Sequence, residues 1–195
     1  MRALDPSELT AVQTACEIGP GSGYVSLYVR NNAPHLEQID LVDLSDSAIA
    51  CAREVIKDRR ATYAVGDGRE FLVGKKYGLV YCNPPYILRP KSIDDNPYEG
   101  ICLLVYLVTH ADEFLNKGGR LVTNVSSLAE PVTTPLFADT GIRTIDQMHV
   151  PLKVFNVLNN PEWMDYLLSE KGLRKESRDG YDYWHTISIA EVRKR

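Results

Sequence analysis

Asn83-Pro84-Pro85-Tyr86 follows directly on an apolar run, Tyr77 to Cys82, and gathers unusual chemistry into four residues. Both prolines fix φ and lack an N–H, so the backbone is stiff and the Pro84 carbonyl has no competing donor of its own. The Asn83 side-chain carbonyl is a second acceptor, and Tyr86 offers a flat ring for stacking. Two acceptors and a ring suit a planar group that carries N–H bonds. The lone pair of an amide or aromatic amino nitrogen is delocalised into its π-system and points at no electrophile. If Asn83 and Pro84 each accept one N–H, that nitrogen is oriented and gains sp3 character toward an electrophilic carbon. As a new N–C bond forms the nitrogen proton becomes acidic and can leave to solvent, so no His or Glu base is required. Taken alone, the tetrapeptide also reads as a strand-ending turn capped by Asn83.

About 60 residues upstream, Glu17-Ile18-Gly19-Pro20-Gly21-Ser22-Gly23 lies where an apolar run meets an amphipathic one. Its three glycines let the backbone turn tightly and approach a ligand closely. Asp43 comes 20 residues after Gly23, at the end of the next apolar run. From there a carboxylate can accept hydrogen bonds from ribose hydroxyls. Leu44 follows it in the same turn. Val65-Gly66-Asp67-Gly68 ends a third run, where Asp67 is either a ligand contact or a turn aspartate between two glycines. The spacing departs from GxGxxG, because the third glycine comes two residues after the second. Each of these segments stands at a strand end, as does Asn83. That joint order outweighs the turn-and-cap reading of the tetrapeptide.

The elements that must hold these residues alternate in period. Apolar runs at residues 11–19, 38–44, 61–67 and 77–85 read as strands. Between them, 22–32 and 46–60 read as helices, with a short one at 68–72. Residues 100–119 then read as a helix closed by Gly118-Gly119, and 120–127 as the next strand. Such alternation predicts an α/β fold with a right-handed, parallel sheet. In the last third, 143–155 looks extended, 160–172 helical with Pro161 in its first turn, and 181–194 a strand with alternating faces. Periodicity leaves open whether these late strands continue the parallel series.

The 195 residues, 44% hydrophobic and 25% charged, suffice for one sizeable core, so a single domain over 1–195 is expected. The longest apolar run, Ile101 to Val108, is far short of the roughly 20 residues of a membrane-spanning helix. The N-terminus lacks a basic-then-apolar profile, and a cytoplasmic location is expected. A net charge of −4 argues against a broadly basic phosphate-binding surface, which weakens a nucleic-acid substrate without excluding it. Cys16, Cys51, Cys82 and Cys102 sit among apolar residues without CxxC spacing and read as buried free thiols. His35, His110, His149 and His185 lack ligand spacing, which assigns them to packing or surface, and no metal is expected. Lys57, Arg59 and Arg60 read as helix-end charges, and Arg193-Lys194-Arg195 as a tail. Trp163, Tyr166, Tyr183 and Trp184 are assigned to packing of the C-terminal elements.

The glycine segment resembles motif I of the class I S-adenosylmethionine-dependent methyltransferases. With the later Asn83-Pro84-Pro85-Tyr86, the order resembles the branch that includes release-factor glutamine N5-methyltransferases and the N6-adenine and N2-guanine enzymes. The resemblance covers residues 15–127, and Ile87 after the tetrapeptide and Glu99-Gly100 before a helix look most similar to the glutamine enzymes. It implies a Rossmann-like, seven-stranded, mostly parallel sheet with an antiparallel last strand and helices on both faces. S-adenosylmethionine is then the cofactor, with Glu17, Gly19, Gly21, Ser22, Gly23, Asp43, Leu44, Asp67 and Gly68 as its candidate residues. In that family the acid at Glu17 lies near the methionine amino group, and the Asp67 position lies against the adenine amino group. Asn83, Pro84, Pro85 and Tyr86 are the candidate catalytic residues. A protein glutamine is the favoured acceptor, a nucleic-acid base the alternative, and a non-catalytic partner subunit of the same fold the third reading. Only about 15 residues precede the first strand, so no separate N-terminal substrate domain is expected. Leu88 to Tyr98, with Arg89, Lys91, Asp94 and Asp95, is either a lid or docking loop or a solvated connection.

Overall fold

The computed structural model describes residues 4–91, 93, 96, 98–170 and 172–194. A short helix α1 (Pro6–Leu9), capped by the Asp5 side chain, leads into β1 (Thr14–Ile18). Then follow α2 (Tyr24–Asn32), β2 (Gln38–Asp43), α3 (Asp46–Ile56), β3 (Ala61–Val65), α4 (Gly68–Phe71) and β4 (Tyr77–Cys82). After a long connection come α5 (Cys102–Thr109), α6 (Ala111–Phe114), β5 (Leu115–Ser126), a 3-10 turn and α7 (Glu130–Phe137). The chain ends with β6 (Arg143–Pro151), α8 (Phe155–Leu158), α9 (Pro161–Ser169), β7 (Arg174–Arg178) and β8 (Tyr181–Arg193).

The strands form one sheet in the order β3-β2-β1-β4-β5-β8-β6. β1 to β5 run parallel, and β8 lies antiparallel between β5 and β6. This is the expected seven-stranded arrangement, with the antiparallel ending that periodicity left open. A short eighth strand, β7, pairs with β8. All five β7 residues are exposed, so no hydrophobic alternation marked it in the sequence. The strand order reverses between β1 and β4, and such a switch point opens a crevice at the carboxyl ends of the strands.

Both faces of the sheet are covered. Leu9, Val29, Ala52 and Ile56 of α1, α2 and α3 pack on Ile39, Leu41, Leu79 and Val122. On the opposite face Leu104, Leu107, Phe114 and Phe137 pack on Cys16, Ile18, Val80 and Leu121. A third apolar cluster joins Ile87, Leu88, Leu128, Trp163 and Leu167, which pins the chain after β4 to α9. Burying side chains of this size stabilises by roughly 1.5–3 kcal/mol each relative to exposure. No helix among the described residues is long and apolar enough to cross a membrane.

Several local expectations differ from the structure. The helix expected over 100–119 breaks at His110, and β5 already starts at Leu115. Gly118, at φ +74, and Gly119 lie inside the strand, where a Cβ on Gly119 would come within 2.8 Å of the Tyr77 carbonyl. The glycine pair thus serves a close approach of backbones and not a helix end. The helix from Asp46 stops at Ile56, with Lys57 left-handed at φ 43. Arg60 forks onto Asp58 instead of ending that helix. Arg193 is no tail charge: it sits in β8 and pairs with Glu8 and Glu191. Cys16 and Cys82 are buried, whereas Cys51 and Cys102 are exposed. Cys51 falls off the Ile49, Ala52, Ile56 stripe by which α3 packs, and Cys102 opens α5.

Candidate functional site

At the switch point a cavity of about 320 Å³ is walled by Gly19, Asp43, Leu44, Asp67, Gly68 and, across from them, Pro85 and Leu103. Gly19 is held at φ +71, and its amide donates to the Val42 carbonyl at 2.8 Å, which ties the end of β1 to β2. A Cβ built on Gly19 meets nothing within 4 Å, so the backbone there stands bare toward open space. Asp43 accepts from the Gly21 amide at 3.3 Å through one carboxylate oxygen and from the Ser45 amide at 2.9 Å through the other. Each carboxylate oxygen keeps a further acceptor position for hydroxyl groups. Asp67 caps α4 through the Arg69 amide at 2.8 Å and pairs with the Arg69 guanidinium at 2.6 Å, and that pairing holds its carboxyl below the ordinary carboxylate range. It is therefore both turn aspartate and cavity wall. A Cβ on Gly68 would lie 2.4 Å from Ile18 Cγ2, so only glycine lets α4 begin against the end of β1.

Ile18 also lines this cavity, whereas Glu17, Gly21, Ser22 and Gly23 do not. Glu17 is buried beneath the turn, where it accepts from the Ser26 amide at 3.1 Å and from the Ser26 hydroxyl. Tyr81 Oη lies 2.6 Å from that same hydroxyl. Burial outweighs these hydrogen bonds and pushes the Glu17 carboxyl up to about 7. Gly21 and Ser22 are exposed at the tip of the turn, and Gly23 packs against Ala52 at the start of α2. Glu17 thus supports the turn from below, and its expected contact with an amino group is not on the cavity wall.

Asn83 emerges exposed just beyond β4, and its side-chain oxygen accepts from Asn124 Nδ2 at 2.5 Å. Pro84 is buried, and Pro85 stands in the wall of the cavity already described. Pro85 also borders a smaller slot of about 150 Å³, formed with Tyr86, Ile87, Val157 and Trp163. Tyr98 and Glu99 are common to both spaces. Tyr86 is half-buried, and its ring centroid lies 5.9 Å from that of His185. His185 is 4% exposed and within 2.9 Å of the Ser126 hydroxyl through Nδ1. Its burial lowers its pKa to about 4, so it packs as a neutral ring at pH 7. Trp163 Nε1 donates to the Leu88 carbonyl at 2.7 Å, which fixes the start of the following loop. Within that loop Arg89 pairs with Glu99 at 3.9 Å, while Asp94 and Asp95 lie outside the described residues.

Pro85 is therefore brought onto one wall with Gly19, Asp43, Leu44, Asp67 and Gly68, from which 17 to 66 residues separate it in sequence, while Tyr86 lines the adjoining slot and Asn83 borders neither space. Sequence reasoning missed Asn124, whose signal was an amide inside the apolar strand Leu121 to Val125. A larger groove, about 820 Å³, runs between α7 and the β6/β8 ribbon and is bordered by none of the candidate residues.

Comparison with known families decides the class. Residues 3–140 match the methyltransferase small domain. The chain belongs to that family. S-adenosylmethionine is the methyl donor that membership implies. Among curated relatives, the chain is 29% identical over 164 residues to the ribosomal protein uL3 glutamine methyltransferase of Francisella tularensis, covering 70% of this chain and 51% of that protein. It is 26% identical over 141 residues to the release factor glutamine methyltransferase of Geobacter sulfurreducens, covering 64% and 49%. The chain thus spans about half the length of these relatives. The solved structure of precorrin-6y C5,15-methyltransferase from Geobacter metallireducens superposes with a TM-score of 0.59 at 16% identity, covering 99% of this chain and 88% of that one, which shows the fold.

Proposed function

We propose that this methyltransferase transfers a methyl group from S-adenosylmethionine to the side-chain amide nitrogen of a protein glutamine. The observation that carries the reading is the shared wall: Pro85 borders both the switch-point cavity and the slot floored by Tyr86. A donor in the one and a planar acceptor in the other would meet at Pro85, two residues along the chain from Asn83. When bound, S-adenosylmethionine supplies an electrophilic methyl group on a sulfonium. The bare Gly19 backbone, the Asp43 carboxylate and the Asp67 wall fit its ribose and adenosine parts, since they offer close approach and acceptors where hydroxyl and amino donors must be met.

On the acceptor side, Asn83 Oδ1 and the Pro84 carbonyl accept the two N–H bonds and hold the nitrogen lone pair toward the methyl group. Tyr86 presents its ring to the amide plane. The proton released as the N–C bond forms passes to solvent beside the exposed Asn83, so the neutral, buried His185 is not needed as a base. Two glutamine-modifying enzymes among the relatives and the net charge of −4 support a protein acceptor over a nucleic acid.

Incubation with tritiated S-adenosylmethionine and, in separate reactions, ribosomal protein uL3, release factor and ribosomal RNA tests the reading. Label in either protein, released by acid hydrolysis as methylamine from a peptide mapped to a glutamine, is the expected result. Label in the RNA alone would move the acceptor to a base. A chain that binds S-adenosylmethionine yet labels none of them would favour a partner-subunit role.

A further inference from the structure

Asn124 occupies β5 between Thr123 and Val125, with its backbone paired to Ile189 of β8. The parallel ladder to β4 closes at Cys82 opposite Thr123, so the next residue on each strand, Asn83 and Asn124, are cross-strand neighbours at the ladder's end. Two primary amides meet there, and the 2.5 Å bond runs from Asn124 Nδ2 to Asn83 Oδ1. Resting on the proposed function, we propose that Asn124 is a positioning residue that fixes which end of the Asn83 amide, oxygen or nitrogen, is turned to the acceptor.

A primary amide is nearly symmetric in shape and opposite in chemistry at its two ends. Rotation by half a turn exchanges an acceptor for a donor. An exposed asparagine without a partner samples both states, and only one of them accepts a substrate N–H. With Asn124 Nδ2 facing it, the reversed amide would set two NH2 groups against each other. A carbonyl oxygen has two lone pairs, so the bond from Asn124 leaves one for the substrate. Pairing with Ile189 of β8 holds the Asn124 backbone, and the bond couples the two amides, so Asn83 can turn its nitrogen outward only if Asn124 reverses with it. Asn124 touches no reacting atom and acts through Asn83.

The isosteric Asn124→Asp variant is the decisive probe. Its carboxylate accepts from the Asn83 NH2 and turns that amide round, whereas a packing role would tolerate a residue of the same shape. Single-turnover methyl transfer to whichever of uL3 or release factor the native chain labels is expected to fall about 100-fold in Asn124→Asp and about tenfold in Asn124→Ala. The S-adenosylmethionine dissociation constant should stay within about twofold in both. In an Asn83→Ala background, Asn124→Asp should add less than about a twofold loss, because two residues that act through one contact are not additive. Independently of activity, the Asn83 side-chain NH2 signals in a nitrogen-resolved spectrum should move downfield in Asn124→Asp as that group gains a carboxylate partner. Near-native turnover in Asn124→Asp alongside a crippled Asn83→Ala overturns the inference and leaves the proposed function intact. A loss in Asn124→Asp that persists in full in the Asn83→Ala background, or that tracks lost cofactor affinity, also overturns it. Near-native turnover in Asn83→Ala overturns the proposed function itself.

Discussion

Asp43 and Gly21 are joined by a 3.3 Å hydrogen bond from the Gly21 amide to the Asp43 carboxylate, which makes the glycine turn after β1 and the acid at the end of β2 one unit. The same carboxylate takes the Ser45 amide at 2.9 Å, so its position is set from both sides of the turn. Asp43→Ala therefore removes the acceptor proposed for the ligand and the brace of the turn together. Hydrogen bonds involving a charged group are worth about 1.5–3 kcal/mol each. The affinity for S-adenosylmethionine should drop about 10- to 100-fold by calorimetry. A dissociation constant within about twofold of native would take Asp43 out of the cofactor site.

Asn83→Ala should behave in the opposite way. Its carbonyl lies beyond β4 and borders no part of the switch-point cavity proposed for the donor, so binding of the donor should be nearly unchanged. Loss of a positioned acceptor at the reacting nitrogen should raise the barrier by on the order of 3 kcal/mol, about two decades in rate. Paired measurements of dissociation constant and single-turnover rate separate the two variants. Native turnover in Asn83→Ala would remove the tetrapeptide from the mechanism.

The parallel half of the sheet was legible because each strand from β1 to β4 is a short apolar run ending in a turn residue, and the candidate residues sit at those ends. The Gly118-Gly119 pair misled because a glycine after an amphipathic stretch looks the same whether it ends a helix or lets two strands approach. Only the Tyr77 carbonyl, which comes from another strand, tells the cases apart. Glu17 shows the same limit at the site. Its carboxylate is held by Ser26, nine residues further on, whose hydroxyl in turn meets Tyr81, and the glycine segment alone announces neither partner. Asn124 was invisible as a partner of Asn83 because their meeting depends on β4–β5 register, which no local pattern encodes.

Gly23 and Gly21 differ in what surrounds them, and the difference is measurable. Both have positive φ, +77 and +51, but a Cβ on Gly23 would lie 3.0 Å from Ala52 Cα, while one on Gly21 meets nothing within 4 Å. Left-handed backbone costs an alanine on the order of 1 kcal/mol, and crowding at α3 adds about 1 kcal/mol or more at Gly23. Gly23→Ala should lower Tm by about 4–8 °C and Gly21→Ala by about half as much. Equal shifts in thermal unfolding would show that α2 and α3 do not meet closely at Gly23.

Glu17 and His185 shift in opposite directions, which predicts opposite pH slopes of stability. Burial raises the Glu17 carboxyl from 4.5 to about 7. Between those values the folded chain keeps a proton that the unfolded chain gives up, so stability falls as pH rises through that window and is flat above it. Burial lowers His185 from 6.5 to about 4. Between those values the unfolded chain binds a proton that the folded chain refuses, so stability falls as pH drops through that window. The two slopes offset one another where the windows overlap, and each is exposed by removing the other group. Glu17→Gln keeps a carbonyl for the Ser26 amide without a titrating proton, and it should gain on the native chain as pH rises, by up to roughly 3 kcal/mol at pH 8. His185→Gln should leave the decline above pH 4.5 and remove the His185 share of the decline between pH 6.5 and 4. Urea unfolding at pH 4.5, 6 and 8 measures all three proteins. A Glu17→Gln curve parallel to the native one would mean that Glu17 folds as an ordinary carboxylate, and its burial beneath the glycine turn would then have to be relieved by water or by movement of Ser26.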